Sequence, residues 1–426
     1  MWEIFGGTSM KIGYASQTVG IPGVKFKTTR LKNVTEEKLI EIIQSNLNSL
    51  HLIFDYNIKN NIQMFRISSD IIPFGSHEVN TLKWWEIFED DLATLGKKAQ
   101  KNNMRLSMHP GQYTVLNSLD EEVVKRATED LLYHTRFLDA LNIDASNKII
   151  LHIGGVYGDK KTAMNRFVEN YKKLNEGIQQ RLVIENDDRQ YTISEVLSIG
   201  NKVDIPVVFD NLHHASNPDH TLSEFEWIME SRKTWSVKDG CQKIHYSQQD
   251  PNKRLGAHSR TIAIDEFYAF YSQLPTKDID VMFEVKDKNL SAMKGNNLLA
   301  TPHIKYLEKE WERYKYWILE HSPKIYNEIR QLLKDKESYP IIKFYDFIDK
   351  ALETPATDGT AVNAAQHVWG YVDDITDEKT KANVEKNMEK VAIGGSTRTL
   401  KKLLWKLART KGQSYLLNSL YFSEIY

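Results

Sequence analysis

Leu182-Val-Ile-Glu-Asn-Asp187 and Ile205-Pro-Val-Val-Phe-Asp210 are two short apolar runs, each closing on a carboxylate, with a helix-length interval between them. Strands buried on both faces of a parallel sheet read as such runs, and the crossover that joins them is usually a helix. The unit recurs outward in both directions. β-type runs fall near Ile12–Tyr14, Met64–Ile67, Arg105–Met108, Lys148–Leu151, Leu182–Ile184, Val207–Phe209, Lys243–Ile244 and Asp280–Phe283. The intervals carry helical spacing: after Thr35, the residues Leu39, Ile42, Ile43, Leu47 and Leu50 share one face, and Trp84–Lys101 and Asp120–Leu141 follow the same pattern. Eight alternations within roughly 300 residues predict an α/β fold of the closed (β/α)8, or TIM-barrel, type rather than an open sheet. No Gly-x-Gly-x-x-Gly follows the first strand, which argues against dinucleotide binding.

The 426 residues exceed what such a barrel needs. Residues 10–294 are expected to form it, since Met10-Lys-Ile-Gly-Tyr14 reads as a natural opening strand, and residues 1–9 are an N-terminal extension or expression remnant. Residues 295–426 are helical in pattern throughout and predict an accessory helical domain: Lys305–His321, Pro323–Glu337, Ile341–Glu353, Ala361–Val372, Glu378–Lys390 and Thr397–Thr410. In the last, Leu400, Leu403, Leu404 and Leu407 form an apolar stripe while Lys401, Lys402, Lys406 and Arg409 cover much of the rest, a packed helix with a solvated basic face.

Composition narrows the class. Hydrophobic residues at 41% and charged residues at 27% allow a large core. Apolar runs are strand-sized, so no membrane span is expected, and the first nine residues lack the features of a secretion signal. Cys241, the one cysteine, excludes an internal disulfide and a thiolate metal site; the chain reads as cytoplasmic. With a net charge of −1, any contact with nucleic acid has to come from local basic patches. Composition says nothing of oligomeric state.

The C-terminal strand ends of a (β/α)8 barrel face the active-site mouth. Here the third strand runs into His109, the fourth into His152, the fifth into Glu185, the sixth into Asp210 with His213 behind it, the seventh into His245 and the eighth into Glu284. With 13 His and 57 Asp and Glu among 426 residues, six successive strands ending this way is a pattern rather than composition. Imidazoles and carboxylates without thiolates suit Mn²⁺ or Zn²⁺, and a shared carboxylate bridges two ions, so a multinuclear site is expected. Such clusters activate water and stabilise the attacking and leaving oxygens of phosphoryl displacement. Lys243 shares a strand face with His245, so its ammonium has to be deprotonated, chemically modified or turned away from the ions. The loop after the seventh strand returns His258 to the same mouth and carries Lys253 and Arg254, with Arg260 just beyond, as candidate phosphate contacts.

Nine segments in order resemble the UV damage endonuclease family: Phe65-Arg-Ile, Ile72-Pro-Phe-Gly-Ser-His77, Arg105-Leu-Ser-Met-His-Pro-Gly-Gln-Tyr113, Leu151-His-Ile-Gly-Gly155, Leu182-Val-Ile-Glu-Asn-Asp187, Phe209-Asp-Asn-Leu-His-His214, Ile244-His-Tyr-Ser-Gln-Gln-Asp-Pro251, Gly256-Ala-His258 and Met282-Phe-Glu-Val-Lys286. The resemblance implies a DNA repair endonuclease that cuts 5′ to ultraviolet photoproducts in double-stranded DNA, leaving a 3′-hydroxyl and a 5′-phosphate. It implies three divalent ions, commonly manganese, held by His109, His152, Glu185, Asp210, His213, His245, His258 and Glu284, with Lys243 as a carboxylated lysine. Catalytic roles would fall to His77, Lys243 and Glu185. Gln112 and Tyr113 match the dipeptide that probes the duplex opposite the lesion, Tyr14 would flank the same pocket, and Lys286 would join the DNA contacts. The family's asparagine after the first strand is replaced by Gln17 and Thr18. Arg313-Tyr-Lys-Tyr-Trp317, His321-Ser-Pro323 and Asn363-Ala-Ala-Gln-His-Val-Trp-Gly-Tyr371 resemble the small helical YbgA-like domain. An abasic-site nuclease like endonuclease IV and a metal-dependent sugar isomerase remain the alternatives at this stage.

Overall fold

A computed structural model describes residues 10–425 of the chain; the expected extension, residues 1–9, lies outside the described residues. Eight parallel strands close into a barrel in sequence order. They are β1 (Ile12–Ala15), β2 (Met64–Ile67), β3 (Arg105–Met108), β4 (Lys148–His152), β5 (Leu182–Glu185), β6 (Val207–Asp210), β7 (Lys243–Tyr246) and β8 (Asp280–Phe283). One long helix follows each strand: α1 (Glu36–Lys59), α2 (Glu89–Lys101), α3 (Glu121–Ala140), α4 (Lys160–Lys172), α5 (Ile193–Val203), α6 (Glu224–Arg232), α7 (Ile264–Gln273) and α8 (Asn289–Leu299), with shorter helical turns between some of them. The TIM barrel expected from the alternation is the fold.

Several strands run further than their apolar stretches. His152, Glu185, Asp210 and His245 lie inside the ladder, with His152 paired to Glu185 and Asp210 to His245. The expected helix over Trp84–Lys101 is two pieces, because Phe88 leaves helical geometry (φ −110°, ψ 25°) between Trp84–Ile87 and α2 as its ring turns into the core.

The period of two along each strand sorts side chains between two environments. Tyr14, Phe65, Leu106, Ile149, Ile184, Phe209, Ile244 and Phe283 point outward into the main core beneath the helices. Inward positions fill the barrel in layers. Ala15, Met64 and Met282 form one small apolar cluster, and Ile150, Val183 and Val208 another. Toward the N-terminal end lies a buried ionic layer: Arg105 donates to Asp280 at 2.9 Å and Lys148 to Asp239 at 2.7 Å. The metal-type side chains occupy the opposite end, so the apolar layers separate two charged ones.

The C-terminal region is helical: α9 (Ile304–His321), α10 (Pro323–Leu332), α11 (Ile341–Glu353), α12 (Asp358–Trp369), α13 (Glu378–Ala392) and α14 (Thr397–Thr410). α9 serves two cores. Leu307, Tyr314 and Ile318 join the barrel's outer core with Phe344, Tyr345 and Ile348 of α11, whereas Tyr316 and Leu319 join a second core with Val368, Val384, Leu400 and Leu404. Lys294 of α8 reaches Asp349 of α11 at 2.6 Å, so an ion pair as well as apolar contact ties this region to the barrel. One basic residue of α14 is not on the solvated face expected for it. Lys401 is buried and donates to Glu320 of α9 at 2.7 Å, because the face between Leu400 and Leu404 is turned toward α9.

Candidate metal centre at the barrel mouth

Glu185 is the hub of the mouth. It is buried at the end of β5; its Oε1 accepts from His245 Nδ1 at 2.6 Å, and its Oε2 stands 3.4 Å from His109 Nε2 and 3.6 Å from His152 Nε2. Two groups able to hold a metal ion share it: His109, His152 and Glu185, and Glu185, Asp210, His245 and Glu284, the donor atoms of each lying within 4.8 Å of one another. His213 stands beside both, with Nδ1 3.9 Å from Glu185 Oε1 and 3.8 Å from Asp210 Oδ1. Asp210 also caps the short helix that carries His213, accepting from His213 N at 2.8 Å. The ring of His258 faces the carbonyl of Glu284 and lies 3.2 Å from Ser247 Oγ, on the rim of the group rather than inside it.

Packing this many ionisable groups together moves their proton affinities. Burial pushes the His152 imidazole down to about 4 against the pull of Glu185. Burial acts the same way on His213, but Asp210, Glu185 and Glu284 outweigh it and carry that ring up to about 9. Burial would raise Glu185, yet His245, His109 and His152 hold its carboxyl well below the usual range. Asp210 is raised, by burial first. The side-chain atoms Asp210 Oδ2 and His245 Nε2 are buried without hydrogen-bond partners. Unpaired polar atoms in a low-dielectric site are costly, and a divalent cation is the partner that carboxylate oxygens and neutral imidazole nitrogens both accept. The donor set fits divalent metal.

Around the hub the expected residues are placed unevenly. Lys243 is buried in the barrel beneath Glu185; burial, Arg105 and Arg66 hold its amine well below the ordinary lysine range. His77 is exposed, its Nδ1 accepting from Val79 N at 3.0 Å, and it lines a groove of about 740 Å³ together with His109 and Tyr113. Tyr113 is 82% exposed at the lip of that groove, with Gln112 beside it also exposed. Tyr14 is a correction. Its ring is wholly buried and its hydroxyl donates to Asn57 of α1 at 2.8 Å, because Gly13 and Ala15 are the inward positions of β1 and Tyr14 faces the opposite way. Lys253 and Lys286 both approach Asp250, at 3.6 and 3.2 Å, and Arg254 and Arg260 belong to the same loop.

Residues 9–309 match the family model described as UV-endonuclease UvdE. The chain belongs to that family. A UV DNA damage endonuclease of Clostridium perfringens is 43% identical over 351 residues, 81% of this chain and 84% of that one. One from Bacillus cereus strain G9842 is 33% identical over 67% of this chain and 93% of its own length. The crystal structure of SacUVDE, 39% identical, superposes with a TM-score of 0.65 over 68% of this chain and 98% of that one. Residues 315–425 match a second model, described as a protein of unknown function.

For this UvdE-family chain the sequence reading missed two kinds of residue. Arg66 is inward on β2 and donates to Glu284 Oε1, a part-buried guanidinium at the edge of the metal-type cluster. Its signal was a lone arginine between Phe65 and Ile67 in an apolar strand. Asp130 of α3 was missed because nothing local marks it: its Oδ2 accepts from Thr114 Oγ1 at 2.6 Å and its Oδ1 from Ser76 Oγ at 2.8 Å. One turn on, His134 is buried with Nε2 3.0 Å from Ser69 Oγ, which donates to the carbonyl of His109. α3 thus holds from behind the two loops that bear His77 and Tyr113.

Proposed function

We propose that this chain nicks double-stranded DNA 5′ to ultraviolet photoproducts, leaving a 3′-hydroxyl and a 5′-phosphate, with three divalent ions at the barrel mouth. The observation that carries the reading is Glu185 shared between two metal-type groups, one of which includes His109, a residue that lines the same groove as Tyr113. Membership of the UV-endonuclease family supplies the lesion class. No helix among the described residues is long and apolar enough to cross a membrane.

His109, His152, Glu185, Asp210, His213, His245, His258 and Glu284 are the proposed ligands, Mn²⁺ the ion and Zn²⁺ the alternative. Ions there would lower the pKa of a water and neutralise charge on the phosphoryl oxygens. The protein's own groups complete the site. Arg66 keeps Glu284 anionic and oriented. His77 faces the groove where it can donate to a non-bridging phosphate oxygen. Burial and the neighbouring guanidinium groups lower the proton affinity of the Lys243 amine, which favours the neutral form that adds CO₂ and releases a proton to give a carbamate, and as that anion it would add to the ligand set. Tyr113 and Gln112 would enter the duplex where stacking is already weakened, since extruding a damaged base costs less than extruding a sound one. Lys253, Arg254, Arg260 and Lys286 would contact phosphates. Residues 10–294 are the proposed nuclease domain, and residues 295–426 the accessory domain.

The experiment is nicking of irradiated, abasic and untreated supercoiled plasmid with Mn²⁺, with and without chelator. Faster nicking of irradiated plasmid, abolished by chelator, is expected. Preference for abasic plasmid would shift the substrate to abasic sites, and equal nicking of all three would remove the lesion reading.

A further inference from the structure

The end of the chain and its first barrel loop share a property that the incision chemistry does not use. No Asp or Glu occurs between Glu389 and Glu424, a span with seven Lys and Arg, and none occurs between Glu3 and Glu36, where Lys25, Lys27, Arg30 and Lys32 follow closely. In a chain of net charge −1, such segregation builds local positive potential without a global field.

The structure shows what these cations face. Lys401 is spent on Glu320, but Arg398, Lys402, Lys406 and Arg409 recur along α14 at steps of four, four and three, and all are exposed. Among the described residues none of these four pairs with a carboxylate. Arg409 lies over the ring of Trp405, 5.6 Å from its centroid. From Arg398 to Arg409 the stripe runs about 16 Å, the length of roughly five base-pair steps.

The two cationic segments also touch. Gly20 in the loop after β1 has φ +72°, and a Cβ there would stand 2.6 Å from Leu420 Cδ2 in the C-terminal turn that packs on α14. In the same loop Lys25, Lys27, Arg30 and Lys32 are exposed, Lys27 standing 3.8 Å from Glu41, while Ser16 and Thr28 line the groove shared by His77, His109 and Tyr113. The acid-free loop that begins at the rim of the site thus packs against the acid-free C-terminal segment that carries the α14 stripe.

We infer that the helical region is a DNA-backbone clamp: the exposed face of α14 and the Lys25–Lys32 loop bind phosphates of the duplex flanking the cut. The inference rests on the proposed action on DNA and gives a role to a region whose sequence class carries none. It replaces the expectation of a merely solvated basic face.

The test compares the metal-loaded protein with Arg398→Gln/Lys402→Gln/Lys406→Gln/Arg409→Gln and with a second variant, Lys25→Gln/Lys27→Gln/Arg30→Gln/Lys32→Gln. Fluorescence anisotropy is read on undamaged duplexes of about 40 and about 12 base pairs from roughly 50 to 200 mM salt. Each variant is expected to lower the slope of log affinity against log salt by about 3 to 4, and to weaken binding to the longer duplex at least about tenfold. Metal content, melting temperature and cutting of a short lesion duplex stay near wild type for the α14 variant. An unchanged slope and affinity in that variant overturns the inference. So does α14-dependent binding to phosphatidylserine vesicles with no change on DNA. A wild-type protein that binds the long duplex through α14 but fails to nick irradiated plasmid would sink the repair reading and not the clamp.

Discussion

Asp130 accepts the hydroxyl of Thr114 at 2.6 Å, and with its other oxygen it accepts Ser76 at 2.8 Å. Thr114 follows Tyr113 and Ser76 precedes His77, so one carboxylate on α3 ties the loop proposed to sense the lesion to the loop proposed to meet the phosphate. Hydrogen bonds to a charged group contribute about 1.5–3 kcal/mol each. Asp130→Ala is expected to lower kcat on irradiated DNA about 10- to 100-fold and to narrow the preference over untreated DNA, with bound metal unchanged. Asp130→Asn, which still offers one acceptor, recovers part of the loss. An Asp130→Ala enzyme with wild-type kcat and selectivity would show that the two loops need no such tie.

Arg66 and Glu284 predict an effect of metal removal. Their side chains are 11% and 14% exposed, and removing one partner of a fully buried pair costs on the order of 3–5 kcal/mol, an upper bound for this part-buried one. Ions bound by Glu284 would take over part of the guanidinium's work. Arg66→Met is therefore expected to lower the melting temperature more in chelator than in Mn²⁺, measured by scanning fluorimetry. Equal falls under both conditions would place Glu284 outside the metal cluster.

The barrel was legible because each strand is a short apolar run in an alternating series, and the donors were legible because each ends such a run. Parity was equally available for Tyr14: in β1 it shares its face with Ile12, which belongs to the outer core, so a place in the mouth was excluded by the period of two. Arg66 was harder, since its partner Glu284 lies across β1 and only closure of the barrel brings them together. Asp130 and His134 were beyond reach. They sit in an ordinary amphipathic helix, and their roles come from loops 16 to 65 residues away. Lys401 resembled its solvated neighbours until α9 was placed against it.

Glu224, at the start of α6, gives a pH dependence. Burial, with a smaller push from Asp210, raises its carboxyl from the ordinary 4.5 to about 7. Between those values the folded chain keeps a proton that the unfolded chain gives up, so stability falls as pH rises through that window. Glu224→Gln removes the penalty. It is expected to stabilise the protein by about 1–3 kcal/mol at pH 8 and scarcely at pH 4, from denaturant midpoints at the two pH values. A gain independent of pH would mean that the carboxyl titrates normally.

His109→Ala and Tyr113→Ala separate metal from lesion. The first removes one of three donors in a group built on Glu185, and bound metal and nicking should both fall by tenfold or more. The second removes an 82% exposed ring that belongs to neither metal-type group, and should leave metal content alone while reducing the preference for irradiated over untreated plasmid. Equal loss of metal in both variants would contradict this division of roles.

Glu185→Gln bears most directly on the central claim, because this carboxylate joins both metal-type groups. Metal per chain by mass spectrometry, read beside incision of an end-labelled duplex carrying one photoproduct, is the measurement. Wild type should hold more than one divalent ion per chain and cut 5′ to the lesion; Glu185→Gln should lose more than one ion and lose incision with them. A Glu185→Gln protein that keeps its full metal content and still cuts would contradict the account.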